Sequence, residues 1–158
     1  MKVGLIDVDS KIPNLALMKI SAYHKSLGDE VSFYAPLFDK PDLIYASKVF
    51  KFSKDYLYYP DCDVIKGGSG YGLEINLPKE IEHIYPDYDL YKQSYAMGFS
   101  TRGCIRSCGF CIVPRKEGRI QAVSDIYEFW NGQEHLMLMD SNITAEPDHF
   151  TRICKQLI

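Results

Sequence analysis

A chain of 158 residues suits one domain of ordinary size or two small ones. With 46% hydrophobic and 25% charged residues it can bury a core without disulfides. A net charge of -3 gives no general basic surface, so composition argues against nucleic acid or an anionic membrane as partner. No stretch nears the roughly 20 apolar residues that span a bilayer, and Asp7 comes too early for a secretory leader, so a cytoplasmic protein is expected.

The chain opens on a short apolar strand over residues 3–8. A loop with Pro13 leads to a helix from Leu15 to Leu27, whose apolar positions Leu15, Leu17, Met18, Ile20, Ala22 and Leu27 fall mostly on one face. Gly28 suits its C-terminal stop. Short strands follow at Val31–Tyr34, Leu43–Val49 and Asp63–Lys66, the last running into Gly67-Gly68-Ser69-Gly70. Strand, helix and strand with short links predict a parallel sheet with covering helices, a reduced doubly wound α/β domain over residues 1–72. The many tyrosines between Tyr45 and Tyr95 read as amphipathic packing residues, because a base-stacking surface would normally come with a basic stripe. Asp7 and Asp9 read as a solvated turn, and His24 as an ordinary surface or hydrogen-bonded histidine.

Residues 73–94, with Pro78, Pro86 and Tyr85-Pro86-Asp87-Tyr88-Asp89-Leu90-Tyr91, read as an irregular connector. A second α/β segment, 95–158, starts with a strand over Tyr95–Ser100. Ser124 can cap a helix reaching about Trp130. His135–Met139 forms the next strand, and Asp140-Ser141-Asn142 its polar C-terminal end. Pro147 suits the first turn of a last helix.

Five cysteines, Cys62, Cys104, Cys108, Cys111 and Cys154, are unevenly spread, with three crowded into Cys104-Ile105-Arg106-Ser107-Cys108-Gly109-Phe110-Cys111. In a reducing compartment such clustering favours metal over disulfides. Thiolates are the usual ligands of iron–sulfur clusters, and a cubane normally takes four. Three thiols on one loop would leave one iron for a chelating small molecule. Gly103 and Gly109 let the backbone fold tightly, and Arg102 and Arg106 add positive charge that favours thiolates. Zinc fits less well, since it usually pairs two C-x2-C knuckles or adds histidines. Three unliganded structural thiols are the remaining alternative.

The run from Gly98 to Cys111, C-x3-C-x2-C with an aromatic residue before the third cysteine, resembles the signature of the radical S-adenosylmethionine (SAM) superfamily. The resemblance implies a partial TIM-type (βα)6 barrel of which residues 95–158 hold the first two βα units. It implies a [4Fe–4S] cluster on Cys104, Cys108 and Cys111, and SAM as a small-molecule partner with Phe110 near its adenine. Reductive cleavage of SAM to a 5′-deoxyadenosyl radical would then follow, with a reductant such as flavodoxin or ferredoxin. The family's Gly-Gly-Glu run at the end of the second strand is replaced here by Asp140, Ser141 and Asn142, which can supply hydrogen bonds to SAM or serve as a helix cap and polar turn.

Residues 1–72 resemble the cobalamin-binding-like domain that precedes many such barrels. The Asp-x-His-x-x-Gly motif that ligates cobalt is absent, Asp7-Val8-Asp9-Ser10-Lys11-Ile12-Pro13 standing in its place, so a degenerate domain is expected rather than a cobalamin site. The glycines at 67–70 could still let a nucleotide-like cofactor approach the backbone. Pro114–Arg119 reads as a solvated basic loop, and Cys62 as a packing residue. Only two strand–helix units follow Tyr95, so the expected protein is a fragment, half of a split enzyme completed by a second chain, or a non-catalytic iron–sulfur module for electron transfer or redox sensing.

Overall fold

A computed structural model describes residues 1–158. The structure is mixed α/β, with a parallel four-stranded sheet and four helices, and it divides into two compact units, Met1–Gln93 and Ser94–Ile158.

In the first unit the strands are β1 (Lys2–Asp7), β2 (Glu30–Phe33), β3 (Leu43–Ser47) and β4 (Asp63–Gly67), in the order β2-β1-β3-β4. All pairs are parallel. The strand order reverses beside β1, so the C-terminal ends of β1 and β3 flank the crevice where ligands gather in sheets of this kind. Helix α1 (Leu15–Ser26) forms because Asn14 accepts the Leu17 amide at 3.2 Å as N-cap, while Gly28 (φ 83°) ends it as the spacing predicts. Its buried Leu17 and Ile20 pack on Val3 and Leu5 of β1. The opposite sheet face buries Ile6, Ile44 and Ala46 beneath Tyr34, Tyr56, Tyr59 and Cys62, so these tyrosines pack on the core while partly exposed and Cys62 packs where expected.

The segment 73–93 is more than a connector. It carries α2 (Lys79–Glu82) and a 3-10 turn at Tyr88–Tyr91, and Ile81 is a buried member of the α1 core, with Leu77 and Leu90 against it. Polar fasteners hold it as well: Asp87 accepts from Ser21 Oγ and Lys25 Nζ, each at 2.6 Å. Apolar residues among the prolines made this segment fold back onto α1 instead of running free.

The second unit has two parallel strands, β5 (Ala96–Gly98) and β8 (Leu136–Leu138), shorter than the sequence predicts at both ends. Between them an antiparallel ribbon joins β6 (Thr101–Arg102) to β7 (Gln121–Ala122). Single-turn α3 (Val113–Lys116) stands inside the ribbon's loop, and α4 (Pro147–Gln156) follows β8 with Pro147 in its first turn as expected. The helix expected from Ser124 to Trp130 is instead a 3-10 turn at Ile126–Glu128. Ser124 is not available as a cap, because its hydroxyl donates to Phe99 O at 2.6 Å and its amide to Ser100 O. The short turn still buries Ile126 and Phe129 with Ile153 of α4 as the core of this unit. No helix is long and apolar enough to cross a membrane.

Candidate functional site: the cysteine loop

The loop grows from the buried end of β5. Ser100 and Thr101 are fully buried, and past them the chain turns out into the β6–β7 ribbon. Residues 103–120 are therefore a closed excursion whose two ends are held side by side. Gly103 makes this closure: its φ is 83°, and a Cβ there would strike the carbonyl of Arg119 on the returning limb. Its neighbour Cys104 donates its amide to Gly118 O at 3.2 Å. At Gly109, by contrast, an added Cβ would meet nothing within 4 Å, so the tip does not need that glycine for packing.

Two carboxylates fix the root. Glu117 reaches across the loop base, taking Arg102 on one oxygen and the Gly103 amide on the other, each at 3.0 Å. Arg102 also stacks its guanidinium 3.6 Å from the centre of the Phe99 ring. The basic segment 114–119 is thus not merely solvated: Glu117 is its anchor, a role that sequence spacing gave no signal for. Asp140, at the end of β8, accepts from Ser100 N at 3.2 Å and Ser100 Oγ at 3.0 Å, and also from the amide and hydroxyl of Thr101. Met139 N bonds to Gly98 O at 2.8 Å beside it. Asp140 accordingly ties the two parallel strands together where the loop departs.

All five cysteines are free thiols and partly exposed. Cys108 and Cys111 share a tight turn, with Cys111 N on Cys108 O at 3.0 Å, and Cys104 Sγ accepts the Arg106 amide at 3.4 Å. No set of three His, Cys, Asp or Glu side chains is gathered in metal-binding geometry. Phe110 projects from the tip with 94% of its surface exposed. Ser141 is exposed, and Asn142 opens the 3-10 turn at Ile143–Ala145, accepting Thr144 Oγ1 at 3.3 Å. Of the polar trio after β8, the structure brings Asp140 alone to the root of the cysteine loop.

The edge of the first unit where β1 and β3 end is filled by its own side chains. Asp7 accepts from Tyr91 OH at 2.6 Å and from Ser10 N at 3.1 Å; burial and that carboxylate raise the Tyr91 phenol well above its usual range. Asp9 accepts the Val49 and Phe50 amides at 2.7 and 2.9 Å. Neither aspartate is a solvated turn residue, because unsatisfied loop amides beside the sheet take them up. Asn14 spans Ser10 and Ser47. His24 is buried and satisfied, with Asp29 on Nδ1 at 2.7 Å and the Tyr45 hydroxyl on Nε2 at 3.1 Å. The glycines after β4 serve packing: a Cβ at Gly68 or Gly70 would run into the backbone of buried Lys48, whose ammonium stands 4.6 Å from the Tyr71 ring centre. Across the same sheet end, Asp55 accepts from Lys66 at 2.9 Å and from the hydroxyls of Tyr59 and Tyr71.

Compared with protein-family models, curated proteins and solved structures, the chain matches none of them. The chemistry of the loop therefore stands on its residues. Three free thiols lie on this one excursion, and thiolates are the usual ligands of iron–sulfur clusters.

Proposed function

We propose that this chain is a radical SAM protein, or a piece of one, that holds a [4Fe–4S] cluster on Cys104, Cys108 and Cys111. What carries the reading is the C-x3-C-x2-C spacing on a loop that leaves the end of a parallel strand. Free, partly exposed thiols agree with it, since ligating sulfurs must be reduced and reachable. When bound, such a cluster supplies the electron for reductive cleavage of SAM to a 5′-deoxyadenosyl radical. The chain's own residues do the holding. Glu117 and Asp140 pin the loop ends, Arg102 is held at the base by its pair with Glu117, and Cys104, Cys108 and Cys111 on the excursion would hold the metal. Residues 95–158 are read as the first two βα units of a partial TIM-type barrel. Phe110 is read as the residue beside the adenine, and Ser141 and Asn142 as further SAM contacts.

The first unit is read as a reduced doubly wound, cobalamin-binding-like domain. The strand order β2-β1-β3-β4 supports that reading, and the internal hydrogen bonds of Asp7, Asp9 and Asn14 favour a domain without cobalamin. SAM and a reductant such as flavodoxin or ferredoxin are the partners this function needs.

Anaerobic reconstitution tests the proposal. About three to four irons per chain, a brown chromophore lost in Cys104→Ala, Cys108→Ala and Cys111→Ala, and 5′-deoxyadenosine on reduction with SAM are the expected results. A cluster without SAM cleavage would leave an electron-transfer or redox-sensing module, and colourless protein would end the cluster reading altogether.

A further inference from the structure

The loop after β3 reads Lys48-Val49-Phe50-Lys51-Phe52-Ser53-Lys54, with lysines and aromatics interleaved and no acid among them. The chain's overall charge of -3 conceals this local excess. In the structure the loop is built rather than slack. Asp9 takes the amides of Val49 and Phe50, Ser69 Oγ donates to Val49 O at 2.7 Å, and Ser53 N closes a turn on Phe50 O at 3.2 Å. That turn stacks the Phe50 and Phe52 rings, centroids 5.3 Å apart and planes 24° from parallel. Phe52 is nonetheless 86% exposed and Phe50 43% exposed. Their hydrophobic surface faces solvent on a tethered loop, although neighbouring Tyr56 and Tyr59 pack against the core.

The charges beside the pair are uncompensated. Lys51 and Lys54 are exposed and make no ion pair, while the neighbouring carboxylates are both engaged, Asp9 by backbone amides and Asp55 by Lys66 and two tyrosines. Lys11, exposed two residues beyond Asp9, belongs to the same C-terminal edge of the sheet. A flat aromatic face flanked by free ammonium groups is complementary to a flexible polyanion that carries planar rings.

We propose that the Phe50–Phe52 turn is a stacking platform for single-stranded nucleic acid, with a base on Phe52 and phosphates on Lys51, Lys54 and Lys11. Sequence-tolerant stacking on aromatic side chains with backbone charge contacts is how such strands are commonly held. This surface uses none of the thiols, so it stands or falls independently of the cluster.

Fluorescence anisotropy of the full chain with a labelled oligothymidylate of about twelve nucleotides is the test. Binding that weakens with salt at a log–log slope of about -2 is expected, since each single-strand phosphate contact contributes about -0.7. Phe52→Ala weakens binding about tenfold and Phe52→Tyr restores it, while Lys51→Gln or Lys54→Gln lowers the slope by about 0.7 each. These side chains are exposed, and circular dichroism confirms that each variant is folded. The chain with all three loop cysteines replaced by alanine binds as the parent does. The proposal is overturned by absence of binding at low salt, or by a Phe52→Ala variant with unchanged affinity. Capture of phosphatidylserine vesicles without oligonucleotide binding, or self-association through the aromatic pair instead, overturns it equally.

Discussion

At the scale of single residues, the carboxylates decide the most. Asp140 satisfies two backbone amides and two hydroxyls at a buried strand end, so Asp140→Ala strands all of them. The expected cost is about 2–4 kcal/mol by chemical denaturation, with Asp140→Asn intermediate because one acceptor survives. If Asp140 positions the loop instead of contacting SAM, the asparagine variant keeps its affinity for SAM after reconstitution but loses iron faster to a chelator. Glu117→Gln removes the charge from the Arg102 pair and keeps a hydrogen-bonding oxygen; faster amide exchange at Gly103 and Cys104 is the measurement that shows it. Asp55 gives a pH signature. Burial raises its pKa, but hydrogen bonds from Tyr71 and Lys66 more than offset this and bring it from the ordinary 3.8 to about 2. A lowered folded-state value stabilises the protein above the unfolded pKa, and that stabilisation is lost as pH falls from near 4 to about 2. Acid titration of Asp55→Asn should show a shallower loss of stability across that window.

Elements show where sequence reading reaches and where it stops. β1 and β3 were legible as short apolar runs, and α1 from its apolar residues with Gly28 marking the helix end. The cysteine spacing was legible for a different reason, being a chemical pattern that needs no fold to be seen. The β6–β7 ribbon was not legible: two residues on each side carry no periodicity, and the pairing is set by Gly103 and Glu117 across a long loop. Ser124 looked like a helix cap because a serine before Ile126 and Phe129 fits that pattern, yet its hydroxyl found a nearer carbonyl in Phe99. Asn14 is the opposite case, a cap that sequence reading passed over and the structure supplies. Asn14→Ala removes the cap of α1 and the bonds to Ser10 and Ser47, costing about 1–2 kcal/mol in thermal or urea unfolding.

For the whole molecule, the two units keep separate cores. Residues around Leu5, Leu17 and Ile81 close one, and Ile126, Phe129 and Ile153 close the other. Residues 1–93 expressed alone should unfold cooperatively with helical circular dichroism. They should take up no cluster on reconstitution, because Cys62 is their one thiol and it sits partly buried beneath the sheet face. Iron bound by that piece would mean that the metal is held by residues other than the three loop cysteines.

The paired ends of the cysteine excursion have a practical consequence. Since β6 and β7 bring residues 102 and 121 face to face and Gly103 and Glu117 close the base, the segment between Cys104 and Glu117 is a cassette: its length and contents can change while the entropy of joining its ends is met by the scaffold. Exchanging it for a short Asn-Gly turn should leave β5 and β8 paired, and splicing the whole excursion onto another parallel strand end tests whether the proposed cluster binding travels with it.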